Sequence, residues 1–434
     1  MPHTRSVLVQ TAFVLLVIAT LVLPSIAVAQ ERCGNEEELA CRRSWTTDRL
    51  SGNWGGLRDD LEEKGIVFSP CIEMGMFQNF LGGLETHNAN AFSGLFDVNL
   101  CVDLDKLGAI PGGFFFIRSR SSWNNGLPAD VGSLTHDQLV YGSLGDQELF
   151  IDKWWYGQYF FDERLELRAG KLLTLINLVD RNAYAELRFS NSGLIANPTV
   201  PHRKSLGAYL KLKLCDWADF RLLAVDADQT DSTRCADVQS ALHGPGNYIG
   251  YGELVVAPKI VSSKGDLPGH YRIGTWYDGR TKTRFIDDMG GLLADRQTSD
   301  DMGFYVSFDQ LVFKESDEPA DKQGLGAFFR CGYAHPEYNP INHFWSVGLE
   351  YLGMIPGREQ DHIGFGVAQS IMSKTLRHNV DAFADRETVY ELFYEYQLTP
   401  CISITPDVQV ITNPGGDKNA RDAVLGGLRI KVAF

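Results

Sequence analysis

Apolar and polar residues alternate along most of this chain. The last thirteen residues, Asp422 to Phe434, carry the pattern: from Leu428 the apolar side chains fall at every second position, Leu428, Ile430, Val432 and Phe434, with Arg429, Lys431 and Ala433 between them. Period two marks a strand with one apolar face. A soluble sheet ending on such a strand would leave an aggregating edge, whereas a closed barrel pairs its last strand with its first. The same rhythm predicts strands at Val67–Phe80, Phe92–Leu104, Gly113–Ser122, Leu149–Phe161, Arg164–Leu172, Leu206–Cys215, Ala218–Asp226 and Tyr248–Ala257. It continues at His270–Asp278, Gly303–Phe313, Leu325–Tyr333, Phe344–Gly353, His362–Ser370, Glu387–Leu398, Cys401–Ile411 and Ala423–Phe434. Within Glu387–Leu398, residues Tyr390, Leu392, Tyr394, Tyr396 and Leu398 share one face, and Glu387, Glu391, Glu395 and Gln397 the other.

The predicted connections alternate in length. Asp105 to Gly112, Asp162–Glu163, Asp216–Trp217, Ile355 to Asp361 and Thr399–Pro400 are short, whereas Trp123 to Glu148, Leu173 to Ser205, Ala227 to Asn247 and Gly279 to Met302 are long. Short turns on one side and long loops on the other are the asymmetry of outer-membrane barrels. The expected fold class is therefore all-β, a transmembrane antiparallel β-barrel of about 16 strands over residues 66–434. Ahead of it, Ser51 to Ile66 predicts a short amphipathic helix with Trp54, Leu57, Leu61 and Lys64 on one face, within an N-terminal periplasmic segment spanning 30–65.

The first residues set the compartment. His3 and Arg5 precede an apolar run from Val7 to Leu23, and Ala27-Val28-Ala29 has the small-x-small form of a signal peptidase site, so residues 1–29 are expected to be a cleaved signal peptide. Beyond it no run is long enough for a membrane-spanning helix, which leaves the barrel as the way into a membrane and the outer membrane as the expected location. A net charge of -15 argues against nucleic acid as a partner. The 43 Gly, 25 Phe, 16 Tyr and 8 Trp, with a mean hydropathy of -0.15, fit strands of which half the residues face water. Eight cysteines in an exported chain permit disulfides, with Cys33–Cys41 and Cys71–Cys101 as candidates. They form neither a CxxC pair nor a zinc-spaced set with His, so no metal and no cofactor are expected.

The faces opposite the apolar ones carry the candidate chemistry. Arg118, Arg120, Arg168, Arg272, Arg330, Arg429 and Lys431 face Glu166, Asp309, Glu350, Glu391, Glu395 and Asp407, a set that a water-filled tube solvates and a packed core would not tolerate unpaired. The long segment Leu173 to Ser205 holds Asn177, Asp180, Arg181, Asn182, Tyr184, Glu186, Arg188, Asn191 and Asn197, and is expected to fold inward as the narrowest point. Planar hydrogen-bonding groups and aromatic faces together bind sugars, here with Trp155, Tyr159, Trp276 and Tyr184. The channel-lining candidates are Arg118, Arg120, Trp155, Tyr159, Arg168, Asp180, Arg181, Trp276, Arg330, Glu391 and Glu395.

Five separate blocks in order carry a resemblance: LSGNWGGLRDDLEEKGI (Leu50 to Ile66), LRAGKL (Leu167 to Leu172), NPINHFWSVGLEYLGMIPGREQD (Asn339 to Asp361), ELFYEYQLTP (Glu391 to Pro400) and PDVQVITNPGG (Pro406 to Gly416). On these the chain resembles the carbohydrate-selective porins of the OprB type across nearly all of residues 45 to 434. The resemblance implies a sixteen-stranded outer-membrane barrel that passes monosaccharides and small polar solutes by diffusion. It also implies that the terminal aromatic, Phe434, is read by the barrel-assembly machinery.

Small sugars, membrane lipid and that machinery are the expected partners; the periodicity is the same for a monomer and a homotrimer. The alternatives are a general, non-selective porin or a plugged barrel serving binding or structure. An enzyme is not expected: the chain has no GxSxG or HExxH, and its ten His are scattered.

Overall fold

The computed structural model describes residues 49–434 except 125–126, 136–146, 187, 228–246, 286–296, 319–320 and 380–384. The expected signal peptide and the Cys33–Cys41 pairing lie outside the described residues. Sixteen strands form the wall: β1 Ile66–Gly83, β2 Asn90–Asp103, β3 Gly113–Trp123, β4 Gln147–Phe160, β5 Leu165–Leu173, β6 Lys204–Cys215, β7 Ala218–Asp226 and β8 Tyr248–Val256, then β9 Gly265–Asp278, β10 Asp301–Lys314, β11 Gly324–Tyr333, β12 Ile341–Leu352, β13 His362–Met372, β14 Arg386–Thr399, β15 Ile402–Thr412 and β16 Arg421–Ala433. Each pairs antiparallel with its neighbour in sequence, and β16 closes on β1 in a register running from Cys71 opposite Ala433 to Gly83 opposite Arg421. The amide of Phe434 donates to the carbonyl of Pro70 at 3.0 Å, so the backbone of the last residue is bound into the seam. Closure leaves no sheet edge to satisfy, the condition for a sheet in lipid.

The two faces are inverted relative to a soluble protein. Outward residues are apolar and exposed, with Ile273 at 59%, Phe304 at 57%, Val408 at 50% and Leu392 at 49%. Inward residues are polar and covered: Glu253, Ser307, Arg330, Glu391 and Asp407 are all buried. Burying the charges while baring the hydrocarbon is favourable only where hydrocarbon is the outer solvent. Among the described residues no helix is long and apolar enough to cross a membrane; the strands cross it.

Both ends of the described chain meet at one rim, where the Leu50 amide donates to the Ala433 carbonyl at 3.3 Å. The short turns gather there too, and a small strand, Lys259–Ser262, pairs with the first residues of β9 to lengthen that rim locally.

Two expectations change. The N-terminal helix forms, as a 3-10 turn at Trp54–Gly56 running into α1 at Leu57–Glu63. Its apolar face is not the one that packs: Leu57 is 56% exposed and Trp54 40%, while Arg58 is 2% exposed. The Arg58 guanidinium donates to the Phe68 carbonyl at 2.7 Å and lies 4.9 Å from the Trp54 ring centre. A long basic arm that satisfies a strand carbonyl outcompetes a leucine with only hydrocarbon to offer. The Cys71–Cys101 bridge is also not formed. The register sets Cys71 opposite Asp97 and Cys101 opposite Val67, four residues apart along the hairpin. That is about 13 Å at the rise of a strand, and a disulfide spans less than about 7 Å between Cα atoms. Both cysteines are nonetheless disulfide-bonded.

Candidate functional site

The segment between β5 and β6, residues 174–203, folds into the barrel, and its path is set by side chains of distant strands. It begins beneath β8, where the Asp180 amide donates to Glu253 at 2.8 Å. Asn182 crosses to β10 and donates to the Phe308 carbonyl at 2.9 Å. Arg330 of β11, fully buried, then gathers the segment: its guanidinium donates to the carbonyls of Asp180 at 3.0 Å, Leu194 at 3.0 Å and Ile195 at 2.8 Å. It also pairs with the carboxylates of Asp180 at 3.2 Å and Glu186 at 3.3 Å. On β14, the Glu391 carboxylate accepts from the Ser190 amide at 2.5 Å and the Asn191 amide at 2.9 Å. Arg188 pairs with Glu395 at 2.7 Å and Glu350 at 3.4 Å, while Arg429 of β16 donates to the Arg188 carbonyl at 2.5 Å. An irregular backbone has no ladder to satisfy its polar groups; local turns such as Leu178 to Thr174 and Glu186 to Asn182 satisfy some, and wall side chains supply others.

Three wall glycines make the seat, among them Gly332, where a Cβ would lie 2.2 Å from the Thr199 hydroxyl. A Cβ on Gly326 would lie 2.2 Å from the Tyr184 ring, and one on Gly366 2.6 Å from the Leu194 side chain. The segment's apolar residues Phe189, Leu194 and Ile195 close against Phe328, Phe344 and Phe393 of the wall. A second inward piece, the short helix α2 at Leu127–Val131 and the residues after it, is held by Glu387 of β14. That carboxylate accepts from the amides of Leu134 at 2.7 Å and Thr135 at 3.2 Å, and from Gly415 on another loop at 2.7 Å.

The sequence-predicted residues fall into three groups. Arg118 and Arg120 stand on the inner face of β3, where Arg120 grips Asp97 through bonds of 2.6 and 2.7 Å and Arg118 donates to Asn99 at 2.6 Å. Trp155, Tyr159, Arg168 and Trp276 pack into the inner wall: Trp155 stacks on Phe116 at 5.3 Å with Arg168 4.4 Å from its ring, and Tyr159 stacks on Phe114 at 4.8 Å. Trp155 and Trp276 are 3% and 2% exposed, so protein already covers their faces, while Tyr159 and Tyr184 remain half-buried. Asp180, Arg330, Glu391 and Glu395 tie the inner segment to the wall, with Arg181 half-buried on that segment beside them. Asp97, Asp152 and Glu253 were not singled out in the sequence, although all three are buried acids inside the barrel. The parity of β2 and β8 carries Asp97 and Glu253; Asp152 sits where a bulge in β4 breaks the alternation.

Many inward charges sit against opposite ones, including Arg168 with Glu166 at 2.5 Å, Arg272 with Asp309 at 2.5 Å and Arg221 with Glu253 at 3.3 Å, while Glu387 and Glu391 accept from backbone amides instead. Such a lining can orient hydroxyl-rich solutes by hydrogen bonds. The described residues hold no cluster of three or more His, Cys, Asp or Glu suited to a metal ion.

A closed, inverted barrel with segments folded inside it is the architecture of a porin, and comparison with known proteins gives the family. The description "Carbohydrate-selective porin, OprB family" matches residues 87–434. The chain belongs to that family. It is 23% identical to Porin B of Pseudomonas aeruginosa over 426 residues, 89% of this chain and 91% of that one. It is also 23% identical to the putative porin QuiX of Acinetobacter baylyi, over 90% of this chain and 94% of that one. The high-pH structure of Pseudomonas putida OprB superposes with a TM-score of 0.78 at 21% identity, covering 90% of this chain and 99% of that one, and shares its fold. The chain is thus an outer-membrane carbohydrate-selective porin of the OprB family, a transporter.

Proposed function

We propose that this OprB-family porin passes monosaccharides and other small polar solutes by passive diffusion, and that the segment 174–203 sets the size and polarity of the path. One observation carries the reading: a segment rich in hydrogen-bonding groups is clamped across the inside of a closed barrel by buried Arg330 and Glu391. In this reading Arg118 and Arg120 line the water path, and Asp180, Arg181, Arg330, Glu391 and Glu395 hold the constriction. Trp155, Tyr159, Arg168 and Trp276 stiffen the wall behind it. Residues 1–29 export the chain, and Phe434 is the mark that the assembly machinery reads.

Planar-bilayer conductance of the purified protein tests the channel, and absence of pores would favour the plugged barrel. Liposome swelling with glucose and with amino acids of equal size tests selectivity. Faster entry of glucose is expected, and equal rates would reduce the protein to a general porin.

A further inference from the structure

Helix α1 leaves its apolar side chains bare. Trp54 and Leu57, three residues apart, are exposed, and so is Leu50 just before them. The side that the wall holds is a different one: Arg58 donates to the Phe68 carbonyl at 2.7 Å, and Glu62 pairs with Arg58 at 3.8 Å and with Arg49 at 2.6 Å. Asp59, Asp60 and Glu63 are exposed on a third side. Successive helical residues are turned about 100° apart, so Leu57 lies on the flank of Arg58, neither against the wall nor opposite it.

Where that flank points follows from what it touches. The Trp54 ring lies 5.8 Å from the ring of Phe68. Phe68 belongs to the outward row of β1, since Ser69 next to it is buried and Glu73, on the row of Ser69, reaches Arg429 inside the barrel at 3.8 Å. The outward row continues from Phe68 through Ile72 and Met74 to Met76, which is 60% exposed. The apolar flank of the helix therefore extends, at the short-turn rim, the surface that hydrocarbon already covers. The β2–β3 turn beside it, joined through the bond from the Asp103 amide to the Gly65 carbonyl, exposes Leu107 and Ile110 at the same rim.

We infer that α1 is an interfacial anchor, lying in the boundary between headgroups and acyl chains of the phospholipid leaflet at this rim. The wall, the acyl chains and the water then each receive their own side of the helix: Arg58 and Glu62, Trp54 and Leu57, and the three exposed acids. A short helix with one apolar side and one charged side rests at such a boundary, and tryptophan favours the headgroup level. Held to β1 by Arg58, the anchor fixes how deep the barrel sits in the bilayer. Left in water, the same three large apolar side chains would be an unfavourable patch with nothing to cover it.

The full-length protein in phosphatidylcholine vesicles tests this, with the emission of Trp54 taken as the difference between the unsubstituted chain and Trp54→Phe. Lipid brominated near the headgroup end of its acyl chains is expected to remove most of that emission, and aqueous acrylamide little of it. Leu57→Glu should reverse the two, and should speed amide exchange across 57–63. The conductance of both variants should stay unchanged, because the helix touches the outer face of the wall. Trp54 emission open to acrylamide in the unsubstituted chain would place the helix in water. Emission shielded from both quenchers would place it under protein, either the residues before 49 or a second copy of the chain. Either result overturns the inference, and so would a conductance altered by Leu57→Glu, which would set the helix over the lumen.

Discussion

The wall and the segment inside it are held in opposite ways. Each wall strand is bound by a regular ladder to two neighbours, and its side chains need only alternate. Replacing one outward apolar residue by another leaves the ladder intact. Residues 174–203 have no such ladder: their carbonyls and amides are satisfied by Arg330, Glu391, Glu253 and Arg429, residues contributed by strands from β8 to β16. The wall is therefore tolerant and redundant, whereas the inner segment depends on a few long-range contacts. A porin can keep its barrel while its pore changes, because the two are specified by different residues.

Arg330→Ala should break this division most severely. It strands the Asp180 and Glu186 carboxylates and frees three carbonyls, and removal of one partner from a buried ion pair costs about 3–5 kcal/mol. The expected result is a larger and noisier conductance from a barrel that still folds. A normal conductance would show that the seat holds the segment without Arg330.

Leu392→Arg attacks the wall instead, placing a charge on its lipid face at a cost of about 2–4 kcal/mol. Folding yield in lipid should fall while the conductance of each folded pore stays unchanged.

Glu391→Ala leaves the Ser190 and Asn191 amides without their acceptor, which costs the loop about 2 kcal/mol. Protease cleavage within 188–195 should rise, with heat stability of the barrel barely affected.

The smallest effect belongs to a short turn at the rim. Burial would raise the Asp361 carboxyl, but bonds from Arg358, the Tyr394 hydroxyl and the Gln397 amide outweigh it and hold the group below the usual carboxylate range. A depressed carboxylate gives its stabilisation above the ordinary carboxylate pKa of about 3.9 and loses it as pH falls through the lower folded value. Amide exchange at Gln397 should therefore quicken only under strongly acid conditions, and in Asp361→Asn at all pH values.

Much of the barrel was legible because period-two alternation is local. Ala218–Asp226 matches its strand end to end, and the faces of Glu387–Leu398 emerge as read, Leu392 toward lipid and Glu391 toward the lumen. Arg58 was not legible, since its preference over Leu57 depends on the Phe68 carbonyl lying within reach. Nor was the separation of Cys71 from Cys101, because a shift of a few residues in pairing leaves the alternation unchanged. The roles of Trp155 and Trp276 also depended on tertiary neighbours: an aromatic on an inward face can meet solute or protein, and here Phe116 and Arg168 cover the former.

By itself the sequence determined the strand count, the faces and the side of the short turns, since each follows from the period and spacing of residues adjacent in the chain. Only the tertiary structure decided which inward charges meet. Arg330 and Ile195 stand 135 residues apart in sequence, and no local pattern encodes that the carbonyl of one would lie 2.8 Å from the guanidinium of the other.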